Sequence, residues 1–250
     1  MRKYDFLFFD LDNTLWDFSA NSREALKQTL DELGLISQLD SFDDYFHLYQ
    51  QINESLWSDY RAKKITKQAL IVERFSRSLE AFNITHQDWQ GINCYYLGCM
   101  SIQTKLIDGT VETLTYLKAK GYQMHIITNG FKEVQHAKVK NSGLSDFFGR
   151  VYISEEIRTT KPHRPIFEHA LKSSNALKKK SVMIGDSWEI DIVGAQRFGM
   201  DQIMFLNNGQ NKIPELIKSN LLLSNSTYLE LKLHQKTFFV NYITDLMAIL

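Results

Sequence analysis

The chain has 250 residues, with 29 basic and 29 acidic side chains and a formal net charge of zero. That length accommodates one large domain or two modest ones around a substantial core. The charge balance excludes a bulk electrostatic surface for nucleic acid or anionic membrane, no apolar run reaches membrane-spanning length, and the run near the N-terminus is too short for a signal peptide, so a cytoplasmic protein is expected.

The first element is the apolar run Phe6–Phe9, read as a strand, which stops at two carboxylates, Asp10 and Asp12, with Thr14 behind them. From there the periodicity is helical. The stretch SANSREALKQTLDELG places Ala25, Leu26, Leu30 and Leu33 on one face, with Gly34 as a stop. SFDDYFHLYQQINESLW opens on Ser41 with Asp44 three residues on, a capping-box pattern. TKQALIVERFSRSLEAF and THQDWQGINCYYLGCMSIQ each open on a threonine, Thr66 and Thr85. Residues 17–104 therefore read as about four helices without a strand. Their aromatic residues Trp57, Trp89, Tyr95 and Tyr96 are assigned to the helical core. Cys94 and Cys99 lack zinc-site spacing and are read as reduced thiols.

From residue 106 the texture changes. Short apolar runs at 124–128, 151–154, 181–186 and 203–206 alternate with helical stretches. That alternation predicts right-handed crossovers and a Rossmann-like parallel sheet with helices on both faces. The run Phe6–Phe9 belongs to the same sheet. The chain is thus expected to be an α/β core, residues 1–16 and 105–250, with an all-helical cap, residues 17–104, inserted after the first strand. The segment 211–237 is longer than such a core requires. An added hairpin or extended loop is expected there, with FFVNY as a late edge strand, and no function is assigned to it.

In open parallel sheets, ligands bind beyond the carboxyl ends of the strands. Each predicted strand delivers polar groups to that edge. The first ends at Asp10; the run from Met124 ends in Thr128–Asn129–Gly130. Lys161–Pro162 follows the third, and Gly185–Asp186–Ser187, with Asp191 beyond, follows the fourth. Taken singly, each has a structural explanation: a turn, a surface lysine, a helix N-terminal charge. Together, clustered carboxylates would repel one another unless a divalent cation joined them, and hard oxygen ligands point to magnesium. Lysine, threonine and backbone N–H groups suit a phosphate. The set reads as metal-assisted phosphoryl transfer through a carboxylate nucleophile. Asp10 and Asp12, spaced i and i+2, can reach one small volume in unequal roles. Trp16 and Phe18, at the entrance to the helical insertion, are candidates to stack on a substrate base.

The ordered motifs Asp-x-Asp-x-Thr, Thr-Asn-Gly, Lys-Pro and Gly-Asp-Ser-x-x-x-Asp resemble the haloacid dehalogenase superfamily. The likeness covers nearly the whole chain, cap included. FFDLDNTLWDF, ITNGFKEVQHAKVKNSGL and GDSWEIDIVGA look like its noncanonical pyrimidine 5′-nucleotidase family. The resemblance implies a HAD-like core and these roles: Asp10 as nucleophile and metal ligand, Asp12 as acid/base with its backbone carbonyl on Mg2+, and Asp186 as a metal ligand. It further implies that Thr128, Asn129 and Lys161 bind the phosphate, with Thr14 and Asp191 supporting. Dehalogenase members lack the second aspartate of the first motif, so Asp12 favours phosphate esters. The implied activity is hydrolysis of a small phosphate monoester, a pyrimidine nucleoside 5′-monophosphate. The alternatives are a sugar-phosphate phosphatase or phosphomutase of the same fold and, disfavoured by Asp12 and the cap, a phospho-accepting receiver. Arg158–Thr160 stand where relatives usually carry a glycine. The oligomeric state is not legible.

Overall fold

The computed structural model describes residues 2–207, 209, 222–223, 228–232 and 235–250. The chain divides into two compact units, residues 1–18 with 104–250, and residues 19–103. Segment 211–221, where the expected extension begins, lies outside the described residues.

The first unit begins with β1 (Phe6–Phe9). After the helical unit come α5 (Thr110–Ala119), β2 (Gln123–Thr128), α6 (Lys132–Asn141), β3 (Arg150–Ile153) and the short α7 (Ser154–Ile157). These are followed by α8 (Arg164–Ser173), β4 (Ser181–Gly185), α9 (Val193–Phe198) and β5 (Asp201–Phe205), then β6 (Leu222–Leu223), β7 (Tyr228–Lys232) and β8 (Lys236–Val240). The second unit comprises α1 (Phe18–Glu32), whose first residue still belongs to the core unit, α2 (Phe42–Arg61), α3 (Lys67–Glu80) and α4 (Trp89–Ile102). It is helical because its periodic segments carry start signals. Ser41 Oγ accepts from the Asp44 N–H at 3.2 Å and Thr66 Oγ1 from the Ala69 N–H at 3.1 Å. The fourth helix is capped not by Thr85 but by Asp88, whose carboxylate accepts from the Gly91 N–H at 2.7 Å. A carboxylate there also favours the positive end of the helix dipole. Tyr96 is buried as expected. Tyr95 is exposed, and Trp57 and Trp89 are half-buried, so the core assignment is corrected for Tyr95.

The strand order is β3-β2-β1-β4-β5-β8-β7-β6. The six strands from β3 to β8 are parallel; β7 and β6 add an antiparallel extension. The expectation of FFVNY as an edge strand is thus corrected: β8 is internal, paired with β5 on one side and β7 on the other. The apolar run Phe238–Val240 is buried, which suits a covered interior strand. In the register, Phe9 lies level with Ile126 on β2 and Ile184 on β4. Asp10, Thr128 and Asp186 therefore leave the sheet at one end. On one face Phe8, Ile127, Ile166, Phe167, Met183 and Phe198 form a contiguous core. Each such buried side chain contributes roughly 1.5–3 kcal/mol. Ahead of α9 the chain makes a π-helical turn, Trp188–Ile192. The Ile192 N–H reaches back to the Ser187 carbonyl at 3.2 Å, and such turns concentrate at functional sites.

His125 is an exception in this core. Its ring stacks on Phe8 at 5.3 Å, and neither ring nitrogen has a hydrogen-bond partner among the described residues. Burial, helped by the Arg150 charge, lowers its pKa to about 4. An unfolded histidine titrates at about 6.5. Between those values the unfolded chain binds the extra proton, so stability from neutral His125 is complete above the upper value and is lost as pH falls to the lower one. His125→Phe is expected to flatten this acid limb while leaving neutral-pH stability equal or higher, since no hydrogen bond is lost. Urea titrations at neutral and acid pH measure this; an unchanged acid slope would assign the limb to other groups.

Candidate active site

Lys161, in the loop between α7 and α8, is 1% exposed and sits at the centre of the strand ends. Its Nζ lies 2.5 Å from Asp10 Oδ1 and 2.7 Å from Asp191 Oδ1. Burial alone would push this ammonium down, but the two carboxylates outweigh it and hold the pKa above the ordinary lysine value. Asp191 is committed at both oxygens, because Oδ2 accepts from the Ser187 N–H at 3.1 Å. The π turn sets it at this depth. Gly185 makes room for it: a Cβ there would meet Asp191 Oδ2 at 2.4 Å.

Asp10, Asp186 and Asp191 bring carboxylate oxygens within 4.8 Å of one another. Burial raises the pKa of Asp10 to about 7; the Lys161 charge opposes this, and the charges of Asp191 and Asp12 add to it. Asp186 is held well above the carboxylate range, first by burial and then by Asp10 and Asp191. Thr14, fully buried, donates its hydroxyl to Asp186 Oδ1 at 3.0 Å. Hard oxygen donors that resist ionising together are the chemistry a divalent cation satisfies, since its charge favours every ionised form. Asp10 and Asp186 fit such an ion, with Asp191 behind them bracing the lysine.

Thr128 ends β2 beside this cluster. Its Oγ1 accepts from Gln135 Nε2 at 2.6 Å and from the Gly130 N–H at 3.3 Å. With both acceptor sites filled, its own O–H is left to be donated, as an anion requires. Gly130 lacks a Cβ where one would meet Gln135 Nε2 at 2.2 Å. Asn129 is used differently from the expectation. Its Oδ1 accepts from the Lys161 N–H at 2.8 Å and its Nδ2 donates to the Lys161 carbonyl at 2.9 Å. The side chain therefore clamps the lysine loop and is not free for a phosphate; only its backbone is. In that loop Arg158 takes up the left-handed conformation, φ 61°, that a glycine would adopt without strain.

Asp12 lies outside the close group of the other three carboxylates. Its Oδ1 accepts from Lys138 Nζ at 2.8 Å and its Oδ2 from Gln135 Nε2 at 2.9 Å. Both partners are buried on α6, a helix the sequence reading treated as a plain crossover. The signal was present: Val134, Gln135, Lys138 and Val139 share the buried face, so two polar residues interrupt an apolar stripe. The stacking role expected of Trp16 is corrected. Trp16 is fully buried, donates Nε1–H to Ser142 Oγ at 3.1 Å, and lies flat under Lys138 Nζ, 4.1 Å from the ring centre. Phe18 is half-buried, with its ring centre 5.4 Å from the same ammonium.

The family model for haloacid dehalogenase-like hydrolases matches residues 4–199. The chain is 36% identical over 203 residues to pyrimidine 5′-nucleotidase PynA of Streptococcus pneumoniae, covering 81% of this chain and 84% of the relative. It is 31% identical over 229 residues to pyrimidine 5′-nucleotidase YjjG of Escherichia coli, covering 91% and 97%. Its fold matches the crystal structure of the putative HAD-hydrolase YfnB from Bacillus subtilis bound to magnesium, with TM-score 0.82 at 24% identity over 99% of both chains. This chain belongs to the haloacid dehalogenase-like hydrolases. It is an enzyme of that family's phosphatase type, as its likeness to the two nucleotidase relatives supports.

Gly185→Ala is expected to drive Asp191 from its place and lower the unfolding free energy by about 1–3 kcal/mol, the ordinary cost of overpacking. Denaturant titration measures it. An unchanged midpoint would mean that Asp191 can yield without cost.

Proposed function

We propose that the chain is a cytoplasmic, magnesium-dependent phosphomonoester hydrolase that works through an aspartyl-phosphate on Asp10 and prefers pyrimidine nucleoside 5′-monophosphates. The observation that carries the reaction type is Asp12: a second carboxylate, held by Lys138 and Gln135 outside the cluster of Asp10, Asp186 and Asp191, and so suited to proton transfer. The substrate class rests on the two nucleotidase relatives. The free thiols Cys94 and Cys99 accord with a reducing compartment.

In this reading an Asp10 carboxylate oxygen attacks phosphorus and the bond from phosphorus to the ester oxygen breaks. Asp12 delivers a proton to the departing alkoxide. Asp12 then takes a proton from a water whose oxygen attacks the same phosphorus; the bond to Asp10 breaks, releasing inorganic phosphate and restoring the carboxylate. Lys161, hydrogen-bonded to Asp10 and ion-paired to Asp191, keeps N–H capacity to offer to a phosphate oxygen. The Thr128 hydroxyl and backbone N–H groups beyond β2 offer more. Bound at Asp10 and Asp186, Mg2+ would supply Lewis acidity and neutralise developing charge. The helical unit, residues 19–103, is assigned the choice of leaving group.

The test is a substrate panel, with and without magnesium: dTMP, dUMP, UMP, purine monophosphates and sugar phosphates. Pyrimidine monophosphates are expected to give the highest kcat/KM, and chelation is expected to abolish turnover. Preference for sugar phosphates would overturn the nucleotide assignment and keep the chemistry; turnover surviving chelation would remove the metal. Asp10→Asn should lower turnover by about three orders of magnitude or more without loss of fold, because it relieves like charge in a buried cluster. A variant that still hydrolyses the ester at the normal rate would refute the nucleophile.

A further inference from the structure

The Lys138–Asp12 pair is not a surface ion pair. Lys138 is 2% exposed, and its ammonium has been taken out of water to reach Asp12 Oδ1. Three features fix it there. The Trp16 ring lies 4.1 Å away and the Phe18 ring 5.4 Å away, so the cation rests in an aromatic corner. Trp16 is itself tied by its indole N–H to Ser142, the residue after α6. Gln135, one turn before Lys138, donates from one amide nitrogen to both Asp12 Oδ2 and Thr128 Oγ1. Each Asp12 oxygen is thus held by a different residue of one helix. A carboxylate gripped at both oxygens cannot rotate about its terminal torsion, which is otherwise broad. Its remaining lone pairs then point in set directions. Gln135 also aligns the carboxylate with Thr128, so the group that moves a proton and the group suited to hold the anion share one anchor.

We propose that Lys138 and Gln135 are positioning residues, which lock the Asp12 carboxylate in the orientation needed for proton transfer to the leaving oxygen, with Trp16 and Phe18 holding Lys138 in place. The inference rests on the phosphatase reading above. It predicts a dependence on leaving group that a purely structural role would not produce. An aryl phosphate releases a stable anion and needs no proton, whereas an alkyl phosphate, such as a nucleoside 5′-monophosphate, needs one.

The experiment compares kcat/KM for p-nitrophenyl phosphate and for dUMP in the wild-type enzyme, Lys138→Met, Lys138→Arg and Gln135→Met, with thermal melts to check folding. Since kcat/KM reports events up to loss of the leaving group, Lys138→Met should lose about 10–100-fold on dUMP, within the range general acid–base catalysis supplies, and under about threefold on the aryl ester. The aryl ester should also give a burst of about one equivalent of nitrophenolate, because the second step still needs Asp12. Lys138→Arg, which keeps a cation in the aromatic corner, should recover part of the dUMP activity. Gln135→Met should show the same direction and supplies the test if Lys138→Met fails to fold. Equal losses on both esters, or no loss on either, would overturn the positioning role. A wild-type enzyme inactive on both would instead sink the phosphatase reading.

Discussion

One buried ammonium governs the site. Lys161 stands between Asp10 and Asp191 with almost no exposure, so its desolvation is met by two charges at hydrogen-bond distance. Much else follows from that pairing. Asn129 grips the lysine's own backbone at both N–H and carbonyl. Gly185 and the π turn let Asp191 come close. The carboxylates still outnumber the lysine, and burial first, then repulsion between the carboxylates, raises the pKa values of Asp10 and Asp186. A divalent cation placed among these carboxylates would lower those values and gain from doing so.

The site thus has two electrostatic compartments, each with its own lysine. Lys161 serves Asp10 and its neighbours at the ends of β1 and β4. Lys138 serves Asp12 alone, from α6. Two aspartates two residues apart are thus paired with separate cations, an asymmetry that the proposed roles of nucleophile and proton carrier would use.

The sheet was legible because its strands are apolar and bounded by turn residues, and because parallel order forces their carboxyl ends to one edge. That rule alone put Asp10, Thr128, Lys161 and Asp186 at one edge, where the structure also has them. Gln135 and Lys138 escaped because a lysine in a helix reads as solvated; only their place on the same face as Val134 and Val139 betrayed burial. Trp16 misled for the opposite reason. Its position by the insertion suggested exposure, but a tryptophan with one polar atom is well satisfied inside when a serine meets its N–H. Asn129 was assigned by motif, and geometry reassigned its side chain to the lysine loop. The place of β8 was not legible because an edge and an interior strand differ only in what pairs beside them, and here that neighbour is β7.

The two connections into and out of residues 19–103 run side by side. Trp16 and Leu106 form an antiparallel bridge, the Asp17 N–H meets the Lys105 carbonyl at 3.1 Å, and the Ile107 N–H meets the Leu15 carbonyl at 2.9 Å. The insertion therefore leaves and re-enters the core through neighbouring residues. A core joined in this way has no stake in the length of what is inserted, because the gap to be closed is a single backbone hydrogen bond wide. Exchange of the whole module, by recombination or by design, leaves β1 and α5 where they are. Chemistry and selectivity can then be inherited from different ancestors.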